Sequence, residues 1–464
     1  MKVCVIIMYL LIAGPIILNG QDTLSTDNIN VNNGSKIFSG FIRAGIYSWV
    51  DKSDDKLYIP SAFSDAGLML EAGNGQNFRT LADLRFRYGS EFQKPVSEFD
   101  LREAWIEIYG KKWKLAAGQK IIKWGRCDFT NPTSRLSPQD LVLRSPDREE
   151  MNLGNLLASF DYSPSGKVNL EAVLVPFYRS SVLIIDPIPL PENVVINELN
   201  SLITDSGMFS YGLRSDFHFN RLDWSISWFE GYDPMPGIAL TEFTLDLTQP
   251  VPVPFTELSV KPYKSRVLGI DFETTAGTLG IRGEAAWSFP ELSYNTNEYV
   301  PMPEIKWVAG MDWAKGIWRF TGEYSGKYIP DFTPAPVDPV IGSDQDYSKL
   351  AAMFAIPGFD PEEYIRQQVG AFNRLYNYQL HEFYHSAGLR AEAELAYGRV
   401  LPSVFTMYNF TSHDLLIIPE IKIKPADGLA ITIGAEIYSG PKDSLFELID
   451  EFMDGVYVSL RVDF

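Results

Sequence analysis

Apolar and polar residues alternate with a period of two along most of this chain. In the last eleven residues Val456, Val458, Leu460, Val462 and Phe464 fall on one side of an extended strand, and Tyr457, Ser459, Arg461 and Asp463 fall on the other. The same alternation recurs upstream. Phe78, Thr80, Ala82, Leu84, Phe86 and Tyr88 oppose Arg79, Asp83, Arg85, Arg87 and Glu91. Tyr211, Leu213, Phe217 and Phe219 oppose Ser210, Arg214, Asp216 and His218, while Leu222, Trp224, Ile226 and Trp228 oppose Asp223, Ser225 and Ser227. Leu279, Ile281, Ala285, Trp287 and Phe289 oppose Arg282, Glu284 and Ser288. Patterning of this period, repeated this often, predicts strands rather than helices.

The links between these strands alternate in length. Short turns fall near Gly73-Asn74-Gly75, Gly110-Lys111-Lys112, Ser163-Pro164-Ser165-Gly166, Asn220-Arg221, Thr275-Ala276-Gly277, Ala314-Lys315-Gly316 and Pro425-Ala426-Asp427-Gly428. Long polar links cover 51–65, 123–152, 178–206, 232–263, 329–376 and 439–454. Short turns at one end and long loops at the other are the layout of an outer-membrane barrel, the short turns being periplasmic. The expected fold is all-β: a transmembrane antiparallel up-and-down β-barrel of about 16–18 strands. Its first strand lies near Ile37, and its last ends on Phe464 and pairs with the first to close the sheet. Within 346–376 partial helical spacing predicts a short loop helix. A soluble sandwich or propeller would alternate in the same way, and the asymmetry of the loops favours the barrel.

The N-terminus agrees with export. Lys2, the apolar run Val3–Ala13 with Ile16-Ile17-Leu18, and a small residue at Gly20 read as a signal peptide over 1–20. A flexible Asn/Asp/Ser-rich segment over 21–35 and a barrel over 36–464 follow. Loss of the leader, with its single lysine, takes the net charge from -19 to -20. That acidic excess argues against nucleic-acid binding. A mean hydropathy of -0.07 fits a barrel whose lipid-facing and lumen-facing residues cancel, and 13% aromatics can supply two interfacial girdles. Cys127 is the one cysteine beyond the leader, so neither an internal disulfide nor a cysteine metal cluster is expected.

One segment is distinctive: Gly118-Gln119-Lys120-Ile121-Ile122-Lys123-Trp124-Gly125-Arg126-Cys127-Asp128-Phe129-Thr130-Asn131-Pro132, followed by Ser137-Pro138-Gln139-Asp140-Leu141. It resembles an uncharacterised Gram-negative outer-membrane porin-like family often encoded beside MMPL-type transporters of the RND superfamily, whose pattern is W-G, then D, then N-P. Val175-Pro176-Phe177-Tyr178, the stretch Trp228–Pro236, and Gly434–Gly440 fit as well. The chain departs from the family at Thr133-Ser134, where many members carry an acid. The resemblance implies an outer-membrane porin and an RND-type transporter as partner.

Residue chemistry adds roles. Trp124 and Gly125 are expected to end a strand at the outer rim, with the indole at the interface. Asn131-Pro132 then stiffens a loop of mixed charge, including Asp128 and Asp140, which either folds inward to narrow the pore or stays outside in solvent. Arg79, Asp83, Arg85, Arg87, Arg214, Asp216, Arg282 and Glu284 cannot face hydrocarbon cheaply and are expected to line the lumen. His381-Glu382-Phe383-Tyr384-His385 carries the letters of a zincin motif, but on a strand the two histidines stand about 13 Å apart, too far for one metal. No metal, cofactor or catalytic residue is expected; His218 and His413 have no recognisable serine partner.

The expected function is passive passage of a small or amphipathic solute. A surface binding or adhesion barrel with an occluded lumen is the alternative, and an outer-membrane enzyme comes third. Expected partners are outer-membrane lipid and lipopolysaccharide, the barrel-assembly machinery through the strand ending in Phe464, and an RND-type transporter.

Overall fold

In the computed structural model, residues 36–50, 57–74, 76–185, 193–197, 202–203, 207–246, 248, 253–339, 352–353 and 356–464 are described. The expected leader and flexible segment, and 340–351 of the longest loop, lie outside them.

Eighteen antiparallel strands form one closed sheet. They are β1 (Lys36–Val50), β2 (Leu57–Gly73), β3 (Phe78–Glu91), β4 (Lys94–Tyr109), β5 (Trp113–Lys120), β6 (Asn155–Ser165), β7 (Val168–Val175), β8 (Ser210–His218) and β9 (Leu222–Tyr232). The second half comprises β10 (Lys264–Ala276), β11 (Leu279–Pro290), β12 (Glu304–Lys315), β13 (Trp318–Tyr328), β14 (Phe383–Ala393), β15 (Val400–Asn409), β16 (Leu415–Ala426), β17 (Leu429–Ser439) and β18 (Gly455–Asp463). Each strand pairs with the next. The sheet closes where β18 pairs with β1 from Phe41↔Asp463 to Ser48↔Val456. Closure leaves no open edge, which lipid requires because it offers no partner for bare backbone groups. At the seam, Tyr47 stacks between Phe63 and Tyr457 at 6.0 and 5.1 Å inside the barrel. Below it, the Phe464 backbone exchanges two 2.9 Å hydrogen bonds with Gly40.

Alternation sorts the two faces. Ile42, Ile46, Ile106, Leu174, Leu213, Ile226, Ile270, Met311, Leu389, Val458 and Leu460 are exposed on the outside and form the lipid belt. Aromatic groups flank it, Trp313, Trp318 and Phe320 at the periplasmic end and Trp228, Trp287 and Phe289 at the other. Such rings suit the headgroup level, apolar in body and polar at one tip.

Periplasmic turns contain two to six residues, whereas the outer connections include 121–154, 176–209, 233–263 and 329–382. Two differences from the sequence expectation stand out. Strand β2 begins at Leu57, inside the expected 51–65 link, because its inward-facing Ser61 and Asp65 are polar yet fully structured. An extracellular turn of only two residues, Phe92 and Gln93, joins β3 to β4; both have positive φ (45° and 65°), the twist a tight hairpin needs.

The outer loops build a cap. The strand Gly237–Asp246 pairs antiparallel with Val253–Lys261, which pairs in parallel with Val194–Asn197. Helix α1 (Pro361–Tyr376), within the segment expected to hold a helix, packs on this sheet through Ile365, Val369 and Phe372 against Ile238, Leu240 and Leu258. Asp360 caps α1 by accepting the Glu362 and Glu363 amides, and Pro361 occupies its first turn. Helix α2 (Leu445–Met453), capped by Ser444, lies inside the barrel. Its Phe446, Leu445, Ile449 and Met453 cover Phe405, Met407, Leu416, Ile418 and Tyr438, apolar residues of β15–β17 that face inward.

Candidate functional site: a loop folded across the barrel lumen

The connection 121–154 between β5 and β6 folds into the barrel and touches walls on opposite sides. Its first anchor is apolar. Ile122, Trp124 and Leu136 are buried against Leu157, Val173, Val175, Phe229, Val267 and Ala286, inward-facing residues of β6, β7 and β9–β11. Burying each such side chain is worth about 1.5–3 kcal/mol. The Trp124 indole donates to Glu171 at 3.0 Å. Its ring fills the space beside Gly212, where any Cβ would overlap it. Trp124 therefore does not sit at the outer rim as its position after a strand suggested. The strand ends at Lys120, and the indole is buried against the lumen wall.

Gly125 then turns the chain with φ +92°. Two wall carboxylates receive the amides that follow. Glu284 on β11 accepts the Arg126 amide, the Cys127 amide at 2.6 Å and the Thr133 hydroxyl at 3.1 Å. Glu323 on β13 accepts the Asp128, Phe129 and Thr130 amides at 2.6, 3.0 and 3.3 Å. Consecutive N–H groups converging on an anion form a nest whose partial charges add. Salt bridges reinforce it: Arg126 to Asp271 at 2.7 Å, and Arg282 to Asp128 at 2.5 Å and to Asp312 at 2.9 Å. Asn131 lies beside Gly125, with its Oδ1 3.3 Å from the Thr133 hydroxyl, and Pro132 is buried. Burial, then the charges of Glu284 and Glu323, push the Cys127 thiol well above its ordinary range, which favours the thiol over the thiolate.

The returning half of the loop seats on the opposite wall, β1–β4 and β18. Arg43 bonds Asp65 and, at 2.7 Å, Glu150 of the loop. Arg461 and Arg85 approach Glu150 at 3.2 and 3.6 Å. Arg43, Arg85 and Arg461 all stand against the ring of Phe41, at 5.7, 4.6 and 4.0 Å. Arg87 bonds Asp65 at 2.6 Å and Glu91, and donates to the Arg144 carbonyl at 3.1 Å. Arg144 reaches Glu436 on β17 and the Phe452 carbonyl of α2. For Glu150, burial raises the carboxyl, but Arg43, Ser145 and Arg85 outweigh it and hold the group at about 2. Asp140 caps a buried turn, accepting the Val142 and Leu143 amides at 3.0 and 3.1 Å; burial raises its carboxyl. Between this wall and the loop lies a cavity of about 150 Å³, lined by Arg43, Arg85, Arg87, Arg102 and Arg179 and by Asp65, Glu98, Asp100, Asp140 and Glu150.

Of the charged strand positions singled out in the sequence, Asp83, Arg85 and Arg87 lie on this wall, with Arg85 bonded to Asp83 at 2.7 Å. Arg214, Asp216, Arg282 and Glu284 lie opposite, Arg214 bonding Asp216 at 2.8 Å and Asp271 at 3.0 Å. Arg79 stands apart near the periplasmic end, half-exposed and paired with Glu71 at 2.7 Å. Sequence reading missed Glu323, Asp271 and Glu171, and also Arg43 and Asp65. Except for Asp65, which fell within the expected 51–65 link, their inward register was readable, but nothing local tells a wall acid that grips a loop from one that faces water. His381 precedes β14 and packs on Tyr384, while His385 is in the strand with Nδ1 2.5 Å from the Tyr324 hydroxyl. The two therefore do not share a strand as the sequence suggested, since a bend at 381–382 sets His381 off from β14, and neither do they lie one turn apart on a helix as zincin ligands would.

No protein-family model matches the chain, and no curated protein matches it. Among solved structures, OccAB1 of Acinetobacter baumannii aligns over 92% of this chain and 95% of its own, with TM-score 0.50 and 9% identity. OccK9 (OpdG) of Pseudomonas aeruginosa gives 0.50 at 8%, covering 92% and 97%. OccAB4 of A. baumannii gives 0.50 at 10%, covering 94% and 99%. At such identity the likeness is one of fold: a closed eighteen-stranded barrel of the kind found in porin-like channels of the Gram-negative outer membrane.

Proposed function

We propose that this protein is a selective outer-membrane channel that admits a small or amphipathic solute by passive passage. The observation that carries the reading is the loop 121–154, held inside the lumen by wall charges on both sides. A barrel of eighteen strands is wide enough for water, and an inward loop reduces that width to the size of a small solute. The charges it meets, Arg43, Arg85, Arg87, Arg214, Asp216, Arg282 and Glu284, would set a field across the remaining space and rank solutes by charge. The test is planar-bilayer recording from purified protein. Discrete channels whose conductance rises when 126–136 is deleted support the reading. Silence from both proteins would overturn it.

A second reading has one observation in its favour. The cap of α1 and its three-stranded sheet is a packed body at the outer mouth, as a surface binding or adhesion barrel would need. If deleting 234–262 abolished attachment to a surface and left solute uptake unchanged, this reading would displace the first. An inner-membrane RND-type partner rests on the sequence resemblance alone, and crosslinking in intact cells followed by co-purification would test it.

A further inference from the structure

On the walls described above the loop is held by buried apolar contacts and salt bridges. Toward β14 and β15 its contacts are of another kind. The Phe129 ring lies edge-on to Phe405 of β15, with centroids 4.8 Å apart at 61°. It rests in the space over Gly388 of β14, where an added Cβ would come within 2.8 Å of the ring. The Arg390 guanidinium stands 5.6 Å from the Phe129 ring and 5.8 Å from that of Phe405. Arg148 approaches Phe405 at 6.0 Å from the loop side. Both rings are only half-buried, so part of each remains accessible beside the contact.

We infer that the Phe129–Phe405 contact is the gate of the passage, and that Arg390 beside it helps to set which solutes pass; this rests on the channel reading above. Three arguments support it. Both rings are only half-buried, whereas the anchors Ile122, Trp124 and Leu136 are buried, so this seam gives way first when the loop moves. Phe129 needs only to turn about its own χ angles, because Glu323 already fixes its backbone. Two apposed rings in a narrow lumen also expel water, and a hydrophobic constriction of that kind blocks ions by dewetting. A solute that replaces one ring with its own apolar face, with its polar part on Arg390, restores what it displaces. The gate therefore prefers amphipathic solutes to small hydrated ions. Beside it Ile418, and above it Met407 and Leu416, continue the same apolar surface beneath α2.

The test is single-channel recording of wild type, Phe129→Ala, Phe405→Ala, Gly388→Ala and Arg390→Gln, each first shown to fold by the heat-dependent gel shift of an intact barrel. Either alanine in place of a ring should raise conductance roughly twofold or more, the double variant adding little. Gly388→Ala should act in the same direction while keeping both rings, since its new methyl displaces Phe129. Arg390→Gln should change the anion-to-cation permeability ratio with little change in conductance. If the wild type conducts and none of the three ring-seam variants differs from it, the gate is refuted and the channel stands. If neither these proteins nor the 126–136 deletion conducts, the channel reading itself falls.

Discussion

The carboxylate of Glu323 accepts the backbone amide of Asp128 at 2.6 Å, across 195 residues of sequence. It takes the amides of Phe129 and Thr130 as well, so one wall side chain shapes three loop residues. Hydrogen bonds to a charged group contribute about 1.5–3 kcal/mol each. Glu323→Ala should therefore free this stretch. We expect proteolytic cleavage within 126–136 in the purified variant, with the barrel's gel shift retained, where wild type resists. Equal resistance in both proteins would show that Glu323 does not hold the loop.

The Trp124 anchor should be expensive to remove. Deleting a buried aromatic costs roughly 3–5 kcal/mol, and Trp124→Ala also leaves Glu171 without its indole partner. Gly212→Leu should act through the same contact from the wall side, because its side chain would occupy the place of the ring. Both variants should detach the loop at lower urea than wild type, read by tryptophan fluorescence or by protease.

Acid should release the other half of the loop. Glu150, held at about 2 against an ordinary 4.5, contributes stability that is fully present above 4.5 and is lost as pH falls toward 2. Protease sensitivity of the loop should stay flat from pH 7 to pH 5 and rise between about 4.5 and 2. Glu150→Gln removes the charge at every pH and should bring that sensitivity to neutral pH. A wild-type transition above pH 5 would assign the event to a different group.

The lipid belt offers a control on orientation. Val458 faces outward on β18 and is exposed. Val458→Arg should cost about 2–4 kcal/mol near the bilayer midplane, while Val458→Leu should be nearly neutral. Urea midpoints in lipid vesicles would separate the two, and equal midpoints would mean that this face does not meet hydrocarbon.

The barrel was legible in the sequence because its two solvents impose opposite chemistry on alternate residues. Ile226 between Ser225 and Ser227, or Val458 beside Ser459, carries that record without any long-range information. The pairing of the last strand with the one near Ile37 followed from the requirement of closure. Where polar inward residues crowd a strand, as at Ser61 and Asp65, the same rule made structured chain look like loop. The inward path of 121–154 was harder to read. Its seat is Leu157, Val173, Val175, Phe229 and Val267, apolar residues on the lumen side of four different strands. Each alone breaks the alternation only slightly, and their meaning appears once closure brings them together. Trp124 shows the same limit, since an indole after a strand fits either a lipid interface or a buried pocket. The α1 helix was partly visible through its spacing, but the sheet on which it packs is assembled from separate loops.

The carboxylates of Glu284 and Glu323 also bear on transplantation. They supply acceptors for five successive amides, from Arg126 to Thr130, that the loop does not satisfy by itself. The shape of this stretch is therefore stored in β11 and β13 rather than in its own residues. Grafted into another barrel, 121–154 would arrive without its fold, whereas a different loop sewn into this barrel would meet a ready-made mould.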